Sequence, residues 1–384
     1  MRLAEHVRRM SWLYEVTISA AAVVLALVAG AVLIIVSNPA VVARWGYFFD
    51  YPPDALAASW TVVSDAYAAL FLGAFGGLRA LSNTLIHATP LICAGLGVSL
   101  AFRAGLFNIG AQGQLIVGAM AAGWVGFTVQ LPPVLHLVVA VVAGLLGGAV
   151  WGGVVGLLKA RTGAHEVILT IMLNYVALHL LQWSLTTEAF QRPGRDDPIS
   201  PEVHPSAQFP HLFDTRLHMG FLVALAAAVA VWWLLARSTA GFELRTVGAN
   251  PHAARTAGMN VGRVYTFVML LAGALAGLAG TQQVLGTTYP LTDGIAGTIG
   301  FDAITVALLG RGSPLGTVAA GLVFGALTAG GLQMQITTQT PLTLTTVLQA
   351  TIVLFIAAPA LVRAVFRIRA RRATGPVQAL GWNA

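Results

Sequence analysis

Ten long apolar runs dominate this sequence, and most are long enough to cross a lipid bilayer, which takes about 20 helical residues. They cover residues 17–37, 81–102, 106–129, 134–158, 167–185, 219–236, 264–285, 295–309, 315–334 and 342–362. Only 9% of the 384 residues are charged, whereas a soluble domain carries about 25%. The sequence therefore predicts an all-α integral membrane protein: one transmembrane domain of about ten helices spanning 1–384, whose eighth span is short and contains Asp302.

Basic residues are concentrated on one side of these spans. With the N-terminus placed inside, sixteen of the 21 Lys and Arg residues fall in inner segments, and five fall in outer segments: Arg44, Arg79, Arg192, Arg195 and Arg216. An excess of Lys and Arg marks the cytoplasmic side of a membrane. Both termini, the basic tail 363–384 and the polar loop 237–263 are therefore predicted to be cytoplasmic.

The charged start of the chain resembles a signal peptide, because Arg2, Arg8 and Arg9 precede the first apolar run. The run 17–37 is longer than the apolar region of a typical signal peptide, which has about 7–15 residues. We expect an uncleaved first span.

Two predicted outer segments, 38–77 and 186–216, are long for connections between spans. Within the first, residues 60–77 are apolar but contain Asp65 and several glycines, which favours a helix that lies on the membrane or dips into it. Loops of this length are usually functional or disordered. They suit the docking of an external partner, or they are tolerated polar loops.

The sequence argues against a catalytic or nucleotide-binding role for this chain. It has no G-x-x-x-x-G-K-[S/T] stretch, the loop that cradles phosphates in many ATPases. Histidines His87, His136 and His179 lie in predicted spans without a second ligand at metal spacing, and Cys93 is the only cysteine. We predict histidines satisfied by their neighbours, no metal site and no cofactor in this chain.

Polar side chains inside the predicted spans are the candidates for a transport pathway, because a polar group in hydrocarbon is costly unless it faces the bundle interior or water. They are Asn108, Gln112, Gln114, Glu166, Asn174, Gln282, Gln283 and Asp302. Amides outnumber charges, which favours a neutral, hydrogen-bonding solute over an ion. Each amide could equally bridge two helices.

The polar loop 237–263 contains a short predicted helix. Asn250 is a good N-cap, Pro251 suits the first helical position, and Gly258 suits the left-handed residue that closes a helix. About two turns remain, with Ala253, Ala254 and Ala257 on one side and His252 and Arg255 on the other. So short a helix is marginal alone in water. It either docks into a groove of another protein or is an ordinary loop between spans.

Three stretches resemble motifs of the permease subunits of ABC importers in the sugar/nucleoside branch, within the branched-chain/ribose-type superfamily. They are GLFNIGAQGQLIVG at 105–118, EVILTIMLNY at 166–175 and RTVGANPHAARTAGMN at 245–260. The likeness extends over most of 81–362 and is closest to the larger of the two permeases in nucleoside-type systems. Three departures are Gln112, at a position that is often acidic in the family, the long segment 38–77 and the extended basic tail.

The resemblance implies a transport subunit of the cell inner (cytoplasmic) membrane rather than an enzyme. The short helix becomes the coupling helix, with Gly248, Asn250, Pro251, Ala253, Ala254, Arg255, Ala257 and Gly258 as its contact residues. Its implied partners are an ATPase with tandem domains that bind ATP and Mg²⁺, a second, shorter permease and an external substrate-binding protein. Nucleic acid is not expected.

Nucleosides or related nucleobase compounds are the expected cargo, and a simple sugar such as ribose is the alternative. An ATP-independent carrier coupled to ions or protons is a reading from another class, and the near absence of acidic residues within the spans argues against it. An intramembrane enzyme would need a nucleophile–base or metal constellation, which the sequence does not show.

Overall fold

The computed structural model describes residues 21, 24–357 and 365, and the secondary structure there is helical apart from two isolated β-bridges, Ile199 with Thr292 and His211 with His218. The helices are α1 (Val24–Ser37), α2 (Pro39–Trp45), α3 (Pro52–Phe75), α4 (Leu78–Arg103), α5 (Ala111–Thr128), α6 (Pro133–Thr162), α7 (Glu166–Ser184), α8 (Gly220–Arg237), α9 (Thr239–Ala249), α10 (Pro251–Thr256), α11 (Val261–Gln282), α12 (Ile299–Leu309), α13 (Pro314–Thr338) and α14 (Leu342–Ala357). A 3₁₀ turn (Pro205–Ala207) precedes α8, and a π-turn (Gln283–Thr288) follows α11. The predicted all-α fold is confirmed. The N-terminal arginines and the basic tail 363–384, except Val365, lie outside the described residues.

Seven helices in the described part are long and apolar enough to cross a bilayer: α3, α4, α6, α7, α8, α11 with its π-turn, and α13. An eighth candidate results if α1 and α2, which meet at 89°, are taken as one span. The predicted number of about ten spans exceeds this count. Helix α3, with 24 residues, is a candidate crossing within the segment 38–77 that the sequence placed outside.

Three predicted spans fall short for different physical reasons. Helix α5 starts only at Ala111 and carries two polar amides, Gln112 and Gln114, in its first turn. Helix α12 has eleven residues, which rise about 16 Å, whereas the hydrocarbon core is about 30 Å thick. Helix α14 has 16 described residues, and its predicted continuation to 362 lies outside the described part.

The chain divides into two compact units, and the larger comprises Leu81–Ala326. In this unit α5, α6 and α11 pack against one another, α7 and α12 pack against α5, and the residues of α4 are mostly buried. Glycines on α6 and α11 meet face to face: Gly148 lies against the backbones of Gly273 and Gly277. The close approach of backbones through small residues is typical of helices packed in membranes, so these glycines form a packing face between α6 and α11.

The smaller unit comprises Met1–Ala80 and Leu327–Ala384. In its described part, Ile34 of α1, Ala66 and Ala69 of α3, and Met334 of α13 form a small apolar core. The Tyr67 hydroxyl donates to the carbonyl of Leu27, which ties α3 to α1. These contacts hold α3 through its middle turns.

Candidate functional site

The loop between α4 and α5 carries the most buried of the predicted amides. Helix α4 is closed by Gly105 in the left-handed conformation (φ +75°), and Leu106 N donates back to Ala101 O at 2.9 Å, as in a Schellman-type end. Asn108 follows and is 1% exposed. The chain therefore enters α5 through a short loop whose polar side chain turns into the protein.

Asn108 and Gln114 bind each other across the first turn of α5. Asn108 Nδ2 donates to Gln114 Oε1 at 3.1 Å, and Gln114 Nε2 donates to Asn108 Oδ1 at 3.3 Å. Asn108 Oδ1 also accepts from Gly110 N at 2.9 Å. Both amides are 1% exposed, so the pair satisfies polar groups that would otherwise be costly in a membrane interior.

Asn174 of α7 connects to the same loop. Its Oδ1 accepts from Gly113 N at 2.8 Å, and its Nδ2 donates to Ile109 O at 3.0 Å. The structure therefore brings together Asn108, Gln114 and Asn174, which the sequence predicted only as separate candidates. In this conformation they tie α7 and the α4–α5 loop to the start of α5.

Gln112 reaches in another direction, to the chain that leads into α12. Its Nε2 donates to Gly297 O at 2.7 Å, and its Oε1 accepts from Gly300 N at 2.8 Å. A carboxylate here could accept from Gly300 N but could not donate to Gly297 O. Glutamine can therefore make both hydrogen bonds with this segment, whereas an ionised acid could make only one of them.

Asp302 lies beside the segment that Gln112 binds, whereas Gln282 ends α11 and Gln283 starts the π-turn. Asp302 accepts from Thr298 Oγ1 at 2.7 Å in the first turn of α12. Gln282 is 1% exposed and donates to Gly220 O at 2.9 Å, while Gln283 is only partly buried.

Glu166 pairs with Lys159 and not with the amides. Lys159 Nζ and Glu166 Oε2 are 2.5 Å apart, and their side chains are 20% and 11% exposed. Lys159 also lies 5.6 Å from the ring centre of Tyr265. The ion pair closes the connection between α6 and α7, and Glu166 also interacts with the backbone of Phe107, the neighbour of Asn108.

The predicted short helix is present as α10, with the predicted caps. Asn250 Oδ1 accepts from His252 N at 2.9 Å and from Ala253 N at 3.0 Å, and Gly258 has φ +86°. Ala254 is fully buried in the larger unit. The other α10 residues after Pro251 are exposed, and so are Ala257 and Gly258. The outward face thus holds His252, Ala253, Arg255, Thr256, Ala257 and Gly258, a mixture of the two faces expected from the sequence.

Helix α9 places this loop directly against the end of α4. Gly248 lies so close that a Cβ there would overlap the carbonyl oxygen of Arg103. Arg103 Nε in turn donates to Gly312 O, in the turn between α12 and α13, at 2.9 Å. The sequence analysis counted Arg103 only among the basic residues of the inner segments. Its position, just after an apolar run and five residues before Asn108, could have indicated a role at this site.

At the other end of α11, the segment before α8 is bonded to the chain after α11. Phe209 N donates to Leu285 O at 2.9 Å, Val203 N to Tyr289 O at 3.2 Å, and Ser200 N to Leu291 O at 3.1 Å. Two exposed ion pairs, Arg195 with Asp197 at 2.6 Å and Arg192 with Glu202 at 3.4 Å, lie on the same segment. The Arg195 guanidinium, through a hydrogen bond, lowers the pKa of the Asp197 carboxyl below its ordinary value. This segment is therefore an ordered, charged surface.

His136 has protein partners at both ring nitrogens, as predicted. Its ring nitrogens contact Ser206 Oγ at 2.7 Å and Val125 O at 3.1 Å, so the nitrogen facing the carbonyl carries the proton. Among the residues that the structure describes, no group of three or more His, Cys, Asp or Glu could hold a metal ion.

The geometry thus consists of a buried network of amides in a helical membrane unit and an exposed capped helix on a connecting loop. A family model described as "branched-chain amino acid transport system / permease component" matches residues 80–357. A guanosine ABC transporter permease protein of Bacillus subtilis is 42% identical, over 78% of this chain and 87% of that protein. The chain belongs to this permease family.

Two further relatives of this permease differ in their named cargo. A glucose ABC transporter permease protein of Haloferax volcanii is 38% identical, over 76% of this chain and 80% of that protein. A nucleoside ABC transporter permease protein of Lactococcus lactis is 34% identical, over 69% and 75%. No solved structure matches the chain. The resemblance to ABC importer permeases is confirmed, and the chain is a multi-pass transport subunit.

Proposed function

We propose that this permease forms the translocation pathway for a nucleoside or a related nucleobase compound. The observation that carries the proposal is the 42% identity to a guanosine permease along 87% of that protein's length. The buried polar groups fit the same cargo class, because Asn108, Gln114 and Asn174 are neutral hydrogen-bonding amides. Such groups recognise a neutral polar solute by hydrogen bonds rather than by charge.

The ATP that drives transport is bound, with Mg²⁺, by a separate ATPase subunit. The exposed face of α10 supports this assignment, because a six-residue capped helix with small side chains at Ala253 and Ala257 fits a groove of another protein. A second, shorter permease completes the membrane part of the complex, and ATP binding drives alternating access between its two sides.

An external substrate-binding protein delivers the solute to the segment 186–216. The exposed pairs of Arg195 with Asp197 and Arg192 with Glu202 provide mixed charges for such docking. This assignment places the loop 237–263 and both termini in the cytoplasm of a cell whose inner membrane holds the complex. A cysteine in place of Phe213, which is 78% exposed, should then react with an impermeant maleimide added to intact cells, whereas the buried Cys93 should not.

Uptake by intact cells with and without this chain tests the cargo. Labelled guanosine and adenosine are offered in turn and challenged with excess uridine, hypoxanthine, ribose or glucose. We expect uptake that requires the chain, stops when ATP is depleted and is blocked by nucleosides but not by sugars. Uptake that is independent of the chain would overturn the proposal.

A sugar is the second candidate cargo, and the 38% identity to a glucose permease favours it. Inhibition by glucose or ribose, together with sugar uptake that depends on the chain, would assign the permease to this class. Uptake that continues after ATP depletion would instead indicate an ATP-independent carrier.

A further inference from the structure

The intramembrane amides differ in how fully their hydrogen-bonding groups are used. In Asn108, Gln114, Asn174 and Gln112, both the oxygen and the nitrogen of the amide have protein partners. A solute would have to share these groups with their protein partners, since each amide carries two N–H donors and an oxygen with two lone pairs. The fold therefore already satisfies these side chains in part before a solute binds.

Gln282 is the exception among these buried amides. Its Nε2 donates to Gly220 O at 2.9 Å and lies 3.5 Å from Cys93 Sγ, but its Oε1 has no hydrogen-bond partner within the described residues. Exchanging the two amide atoms would set oxygen against the Gly220 oxygen, so the orientation is fixed by chemistry. A buried acceptor left unpaired is destabilising, and one that persists needs an explanation.

The chain immediately after Gln282 is the irregular part of α11. It forms the π-turn Gln283–Thr288, a rare geometry that occurs mostly as single turns and is frequent at functional sites. Tyr289 follows with φ +70°, which is strained for a bulky residue. Two departures from regular geometry therefore adjoin the unpaired acceptor.

This strained turn is held by the segment that precedes α8. Leu285 and Tyr289 accept hydrogen bonds from the backbone of that segment, and the His218 ring lies against Gly286 and Gly220. Gly220 is also the residue whose carbonyl holds Gln282. A shift of this segment thus moves the groups that enclose the Gln282 amide.

We propose that Gln282 Oε1 is the acceptor that binds an N–H or O–H donor of the transported solute when this turn relaxes. Because Nε2 donates to Gly220 O and to Cys93 Sγ, both of its N–H groups have partners, and the side chain offers the solute an acceptor. The ligand class is therefore a neutral molecule with a donor group, such as a nucleoside hydroxyl or exocyclic amine. The assignment rests on the proposed nucleoside transport and adds to it a residue that recognises the solute by a hydrogen bond.

The test is nucleoside uptake by the complete transporter containing Gln282→Met, which removes the acceptor at similar size. We expect KM to rise about fivefold, the effect of one neutral hydrogen bond. The thermal midpoint of the complex should fall slightly, because the bond from Nε2 to Gly220 O is lost as well. Gln335→Met is the matched control, because it makes the same change at an exposed position of α13 that lies outside the candidate pathway residues. Its KM should stay within about twofold of the wild-type value.

Nucleosides that lack a single donor identify the group that Gln282 binds. Guanosine is compared with its 2′-deoxy, 3′-deoxy and 5′-deoxy analogues and with inosine, which lacks the exocyclic amine. The wild type should transport one of these analogues with a raised KM, and Gln282→Met should not distinguish that analogue from guanosine. If Gln282→Met does not accumulate in the membrane, Gln282→Asn, which withdraws the amide by one methylene, is measured with the same expectation.

The outcomes separate this inference from the function on which it rests. Nucleoside uptake by the wild type with an unchanged KM in Gln282→Met, or a raised thermal midpoint without a change in KM, overturns the assignment of Gln282 alone. A wild-type complex that does not transport nucleosides overturns the proposed function, and the assignment with it.

Discussion

Replacing Asn250 with alanine should weaken binding of the ATPase about fivefold. The Asn250 side chain accepts hydrogen bonds from two backbone N–H groups at the start of α10, and the loss of such a cap costs about 1 kcal/mol. A helix shorter than about 12 residues is marginal by itself, so α10, with six residues, has little reserve to absorb the loss. A cost of about 1 kcal/mol corresponds to about a fivefold change in the dissociation constant.

The assay is a titration of the purified permease, held in lipid nanodiscs, with the ATPase subunit. Asn260→Ala is the matched control, because Asn260 caps α11 in the same way, accepting from Arg263 N at 3.0 Å. Helix α11 has 22 residues and a mostly buried length, so losing its cap should leave ATPase binding within about twofold of wild type. Asn250→Ser retains an oxygen that can cap the helix and should restore most of the affinity.

Two results would refute this reasoning. Wild-type affinity of the Asn250→Ala variant would show that α10 does not contact the ATPase or does not need its cap. Equal weakening by Asn260→Ala would show that the effect comes from the whole loop 237–263 and not from α10.

Gly248→Ala should lower the amount of folded protein in the membrane, because the added methyl group overlaps the backbone of Arg103. At Gly258 a methyl group has open space, but φ +86° is strained for alanine. Gly258→Ala should therefore disturb the end of α10 and reduce only the co-purification of the ATPase. Burial lowers the pKa of His218 to about 4, below its ordinary value of about 6.5. As the pH falls, the unfolded chain therefore binds the proton before the folded protein does. The free energy of unfolding should decrease by about 2 kcal/mol from pH 7.5 to pH 5. The thermal midpoint of His218→Gln should not show this decrease. Lys159→Met should lower the free energy of unfolding by about 1–2 kcal/mol, because it leaves the Glu166 carboxylate unpaired. The double variant with Glu166→Gln should recover part of the lost thermal midpoint.

Local features of the chain were predictable from the sequence. The caps of α10 depend on residues within a few positions of one another, so Asn250, Pro251 and Gly258 sufficed to predict the helix and its ends. Its buried face was predicted less well, because Ala254 packs into the larger unit while Ala253 and Ala257 are exposed. Which side of a two-turn helix is buried depends on the helices beneath it, and the short sequence has no periodicity to indicate them.

Distant contacts within the site were not predictable from one sequence. Gln112 and Gly297 are 185 residues apart, and Arg103 and Gly312 are 209 apart. In a soluble protein the apolar period identifies the buried face of each helix, but in a membrane protein the lipid-facing side is apolar too. The sequence therefore identified the polar residues but not their partners, such as Lys159 for Glu166.

The end of α4 connects the loop that carries α10 to the amide network. Gly248 of α9 lies against the backbone of Arg103 and close to Gly105, and Arg103 binds Gly312 O. Asn108 follows Gly105 by three residues on the same short loop. A contact between two backbones cannot be relieved by a change of rotamer, and packed interiors transmit such displacement. A partner that moves α9 through α10 must therefore also move the loop bearing Asn108. If the proposed ATPase binds α10, its coupling to the buried amides would require only these neighbouring contacts.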